Sequence, residues 1–128
     1  MGMNLEIQPK EGYLNVRVSG RYSLPEANDA VIRLFEAVAK QRATLVLVDC
    51  RDLEGSISAI DQYEHAKFFA ENLVEFYDRG LSRATRFAYV LVGPFSDSDK
   101  FAENVAVNRA TNGRTFDSVD DALQWLKT

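Results

Sequence analysis

The segment Thr44 to Asp61, TLVLVDCRDLEGSISAID, holds the densest set of side chains able to do chemistry. Asp49, Asp52, Glu54, Ser56 and Ser58 follow directly on the apolar run Leu45 to Val48. Neighbouring carboxylates push each other's pKa values apart, so Asp49, Asp52 and Glu54 have the residue types of a cation site or a general acid and base. A response-regulator pocket also needs an acidic pair after the first strand, and the corresponding turn here reads QPKEG. The plainer role is the one assigned: Asp49 and Asp52 tie down loop amides and cap turns. No metal ligand and no catalytic residue is assigned.

Ser58 lies three positions before Asp61, the spacing of a capping box. Phosphate on such a serine is favoured by the open amides and the dipole of a helix amino terminus, so Ser58 is both a cap and a candidate modification site. His65, four residues after Asp61, reads as a solvated pair with it on one helix face, since no nucleophile is nearby. The lone cysteine, Cys50, reads as a small core residue, and a single histidine leaves no His-rich metal site. The glycines at 2, 12, 20, 55, 80, 93 and 113 fit neither the dinucleotide nor the P-loop spacing, so no nucleotide cofactor is expected. Arg79, Arg83 and Arg86 form a small basic cluster, read as solvated loop charges.

Hydrophobic periodicity supplies the elements that position these groups. Leu5 and Ile7, then Leu14, Val16 and Val18, alternate with polar residues and predict an antiparallel hairpin at a sheet edge. Ser23 and Pro25 open a helix whose apolar residues Ala27, Ala30, Val31, Leu34, Phe35 and Val38 run to about Arg42. Leu45 to Val48 is a central strand buried on both faces. A second helix begins at Ser58 and ends at Gly80, with a buried stripe of Ala59, Tyr63, Ala66, Phe69, Ala70, Leu73, Phe76 and Tyr77. Phe68 falls on the opposite face with Glu64, Glu71 and Glu75, flanked by Ile60 and Val74, where an exposed aromatic can anchor a partner. Phe87 to Val92 is a second buried strand. A helix from Ser96 carries Phe101, Ala102, Val105 and Ala106, a short strand covers Arg114 to Phe116, and Ser118 with Asp121 caps the last helix. The order is ββαβαβαβα in one α/β domain over residues 1–128, a mixed four- to five-stranded sheet flanked by helices.

Fifteen basic against nineteen acidic residues leave a net charge of −4, which argues against a nucleic-acid partner. No stretch is apolar enough to span a bilayer, the start MGMNLEIQPKEG lacks the form of a secretion signal, and its sixth residue, Glu6, does not fit an acylation signal. With one cysteine there is no internal disulfide, so a cytoplasmic, reducing location is expected.

The element order, the Asp49, Asp52, Leu53 segment, the strand RFAYVLVG and the terminal Phe116, Ala122, Trp125 and Leu126 together resemble the SpoIIAA-like branch of the STAS superfamily. The resemblance implies a regulatory interaction module and not an enzyme. It also places Ser58 at the serine that is phosphorylated in anti-sigma factor antagonists, although Ile57 precedes it where that motif has Asp, and Ala59-Ile60 follow where it has Ser-Gly. The expected function is binding of a protein partner, or self-association as a homodimer, through Asp52, Glu54, Ser56, Ser58 and Phe68. The likeness of this branch to Sec14-type carriers implies an alternative, a small amphiphile held among Tyr63, Phe69, Phe76 and Tyr77 under the second helix.

Overall fold

Strands β1 (Met3–Lys10) and β2 (Tyr13–Arg21) form the expected antiparallel hairpin, in register from Lys10 opposite Tyr13 to Met3 opposite Gly20. The computed structural model describes residues 2–95 and 112–128. Leu14, Val16 and Val18 turn inward from β2 while Asn15 and Arg17 face the other side. Gly20 has φ +96°, and a Cβ there would stand 2.2 Å from the Gly2 carbonyl oxygen, so only glycine fits.

Helix α1 (Leu24–Gln41) follows an extended Ser23 with Pro25 in its first turn, where the missing N–H costs nothing. Its C-cap, Arg42, takes the left-handed conformation at φ 55°. Next come β3 (Leu45–Glu54), α2 (Ala59–Tyr77), β4 (Arg86–Val90), β5 (Gly113–Phe116) and α3 (Val119–Leu126). Ser58 accepts a hydrogen bond from the Asp61 amide at 3.1 Å, and Ser118 does the same for Asp121 at 3.1 Å, so both capping serines act as their spacing predicts. The helix expected from Ser96 lies outside the described residues.

The sheet order is β1-β2-β3-β4-β5, parallel from β2 onward. Right-handed crossovers that advance steadily along a sheet put their helices on one face, and α1 and α2 accordingly pack against each other there. Phe35 of α1 is the centre of that layer, with edge-on ring contacts to Phe69 at 5.0 Å, Phe76 at 5.4 Å and Phe87 at 5.8 Å. Edge-to-face geometry adds about 0.5–1.5 kcal/mol per pair to what area burial supplies. The other face is covered by α3, where Ala122 and Leu126 pack on Leu47, Ala88 and Val90.

Two strand boundaries differ from expectation: β4 closes at Val90 where a strand to Val92 is expected, and β3 is longer. The central strand does not stop near Asp49; it runs on to Glu54, because its polar end still pairs with Ser19, Gly20 and Arg21 of β2. Asp52 and Glu54 are therefore strand residues, and the loop before α2 is only 55–58.

Candidate functional site

The polar end of β3 is built on a bulge. Asp49 pairs with Arg17 and Asp52 with Ser19, so three steps on β3 match two on β2, and one extra residue is accommodated at Cys50-Arg51. That extra residue puts two aspartates three positions apart on the same side of the sheet. Asp49, only 7% exposed, accepts from the Arg51 amide at 3.1 Å, from Nε at 2.9 Å and from Nη2 at 2.8 Å. The Arg51 guanidinium holds its carboxyl below the usual carboxylate range, against the upward pull of burial. Asp52 pairs with Arg17 across the strands, with Nε at 2.8 Å, in an exposed setting. Both carboxylates are thus committed to arginines. Among the described residues no group of three or more His, Cys, Asp or Glu is placed to hold a metal ion.

Beyond the bulge, Glu54 and Ser56 are exposed, and the Glu54 carbonyl accepts from the Tyr22 amide at 2.9 Å. Ser58 is exposed at the start of α2. The outward surface of that helix differs from the expected one. Phe68 is half-buried and packs against the core, whereas Tyr63, expected inside, is 41% exposed. The covered arc of α2 is rotated toward α1: His65 meets Asn28 of α1, and Phe68 lies one turn further along that same flank. The exposed row is instead Ile60 (74%), Tyr63 and Val74 (51%), spaced to share one side of the helix and edged by Glu64, Glu71 and Glu75.

His65 is therefore not a solvated partner of Asp61. Its Nδ1 lies 3.2 Å from Asn28 Oδ1, and burial pushes its pKa down to about 4, so the ring is neutral at pH 7. Arg79 and Arg83 are exposed loop residues as expected, whereas Arg86 is the first residue of β4 and donates to the Trp125 carbonyl at 2.9 Å. Arg79 lies over Phe76 at 4.2 Å, Arg83 over Tyr77 at 4.5 Å and Arg86 over Trp125 at 4.7 Å, each ring drawing a cation.

Between the sheet and the two helices α1 and α2 lies an apolar cavity of about 160 Å³. Leu5, Val18, Val48, Leu34, Ala66 and Phe69 contribute to its walls. Of the four aromatics expected to line a pocket, only Phe69 does so: Tyr63 faces outward, Phe76 is buried against Phe35, and Tyr77 is half-buried beneath Arg83. Tyr22, His65 and Gln62 also line the cavity. The Tyr22 hydroxyl is buried with no hydrogen-bond partner among the described residues. Its role was not read from sequence; the available signal was a tyrosine just past Gly20, at the carboxyl end of a strand, where α/β sheets gather their sites.

The SpoIIAA-like family matches residues 13–127 of this chain. The chain belongs to the SpoIIAA-like family. No curated protein matches it significantly. Several solved structures share its fold, two of which illustrate the likeness. An anti-sigma factor antagonist from Mycobacterium paratuberculosis aligns with a TM-score of 0.65 at 19% identity, covering 99% of this chain and 96% of its own. An uncharacterised protein of the DUF3478 family with a SpoIIAA-like fold, from Shewanella loihica PV-4, aligns at 0.54 and 19% identity, covering 98% and 93%. In this SpoIIAA-like chain, then, the carboxyl end of β3 leads by a four-residue loop to a capped, exposed serine and an apolar row on α2. No helix among the described residues is long and apolar enough to cross a membrane.

Proposed function

We propose that this chain is a non-catalytic regulatory module that binds a protein partner through residues 52–58 and the outer side of α2. The supporting observation is the row Ile60, Tyr63 and Val74, apolar side chains held in solvent on a well-packed helix and bordered by Glu64, Glu71 and Glu75. Apolar side chains set among acidic ones, with Lys67 on the same side, suit a partner helix that carries apolar anchors beside lysines or arginines. Asp52, Glu54, Ser56 and Ser58 extend the same surface at the start of α2. The fold-sharing anti-sigma factor antagonist points to the same class of role. Phe68, being half-buried, supports the surface from behind and is not its anchor.

Ser58 is the residue through which the surface would be switched. Its hydroxyl is exposed, and phosphate there adds charge at the first turn of α2, next to the acidic row. The lone buried Cys50 suits a reducing cytoplasm. The test compares partner capture and sedimentation for the native chain and an Ile60→Glu, Val74→Glu double variant. A specific partner, or a dimer, that is lost in the folded double variant supports the reading. A monomer that captures the same proteins before and after substitution refutes it.

A second reading, a carrier of a small apolar ligand, is favoured by the cavity of about 160 Å³ under α1 and α2. Its walls come from β1 to β5 as well as the helices, so a ligand there would touch the same helix that forms the partner surface.

A further inference from the structure

The size of the cavity and its few polar groups narrow what such a ligand can be. An apolar cavity of about 150 Å³ accepts one benzene ring, so about 160 Å³ matches a single ring and is overfilled by a two-chain lipid. The walls are mainly aliphatic and aromatic, from Leu5, Val18, Val31, Leu34 and Phe69. Within them, the Tyr22 hydroxyl is buried without a protein acceptor among the described residues, an unsatisfied donor that an acceptor oxygen would satisfy. The tyrosine ring is braced by Phe95 at 6.0 Å, which fixes where that donor sits. His65 is engaged with Asn28 and contributes an uncharged ring. Arg114, the one cation among the described lining residues, is exposed to solvent.

We propose that this cavity binds a neutral, ring-sized apolar molecule with one acceptor oxygen, the class of the cyclic ketones, held by a hydrogen bond from Tyr22. This rests on the carrier reading and goes beyond it by fixing size, charge and the anchoring group. A desolvated anion would need a buried cation that the described walls lack.

The experiment titrates the full chain with cyclohexanone, toluene, benzoate and decanoate by calorimetry and ligand-detected NMR. Cyclohexanone binds, and more tightly than toluene of matched size. Tyr22→Phe lowers cyclohexanone affinity about 2- to 10-fold and leaves toluene unchanged, because only the donor is lost. Ala66→Leu fills the cavity and removes both; Ala30→Val serves the same purpose should the leucine prevent folding. Decanoate or benzoate binding more tightly than cyclohexanone overturns the size and charge assignment while leaving the carrier reading intact. An unchanged cyclohexanone-to-toluene ratio in Tyr22→Phe overturns the anchoring role. Absence of binding by all four probes overturns this proposal and the carrier reading together.

Discussion

Asp49 grips Arg51 by three hydrogen bonds, one from the backbone amide and two from the guanidinium, and in doing so fastens the bulge in β3. Asp52, three residues on, holds Arg17 in the open. The two aspartates thus look equivalent in sequence and differ in consequence. Both arginines are about half exposed and return to water when their aspartate is removed, but losing Asp49 also strips the Arg51 amide in the bulge of its acceptor. Asp49→Ala is expected to cost about 1–3 kcal/mol in urea unfolding, and Asp52→Ala less than about 1 kcal/mol. Equal losses would contradict this account of the bulge.

The cap at Ser58 carries a separate expectation. Its Oγ satisfies the Asp61 amide, one of the four amides a helix start leaves open. Ser58→Ala is expected to lower stability by about 1 kcal/mol, and Ser58→Gly by only a few tenths. Thermal melts of the two variants side by side decide it, and a neutral Ser58→Ala would mean that the first turn of α2 is held by other contacts.

The desolvated imidazole of His65 makes stability depend on pH. Its pKa is about 4 when folded and near 6.5 as a model group, so on acidification the unfolded chain takes the proton first. The contribution of the neutral ring is whole above about pH 6.5 and is lost as pH falls toward 4, amounting to about 3 kcal/mol at about 1.4 kcal/mol per pH unit. Carboxylates titrate over the same range in every variant. The measurement is therefore the difference between the native chain and His65→Gln, which is expected to move in favour of the variant as pH drops from 7 to 4. A constant difference would place His65 in water.

Two substitutions on α2 separate surface from support. Ile60, 74% exposed, tolerates Glu with a change of at most about 0.5 kcal/mol, and the loss appears only in partner binding. Phe68→Asp forces a charge against the core it packs on and is expected to cost more than about 1 kcal/mol. Denaturation midpoints in the reverse order would restore Phe68 to the exposed surface.

Much of this fold is legible locally. Alternation in LEIQ and LNVRV, the run LVLV, and the serines at 58 and 118 with their aspartates each depend on neighbours a few positions away, and strands, hairpin and caps formed as those patterns dictate. The features that only the tertiary structure decided all depend on residues distant along the chain. Which flank of α2 is covered follows from α1 lying beside it, so His65 turns to Asn28, 37 positions away, and Tyr63 turns out. The extent of β3 follows from β2 still offering partners at Ser19 to Arg21, and Arg86 finds the ring of Trp125, which its own segment does not reveal. Period and capping specify what each element is; the cavity, the buried Tyr22 hydroxyl in its wall and the exposed row exist only once two helices share one side of a twisted sheet, because packing between elements has no signature within any one of them.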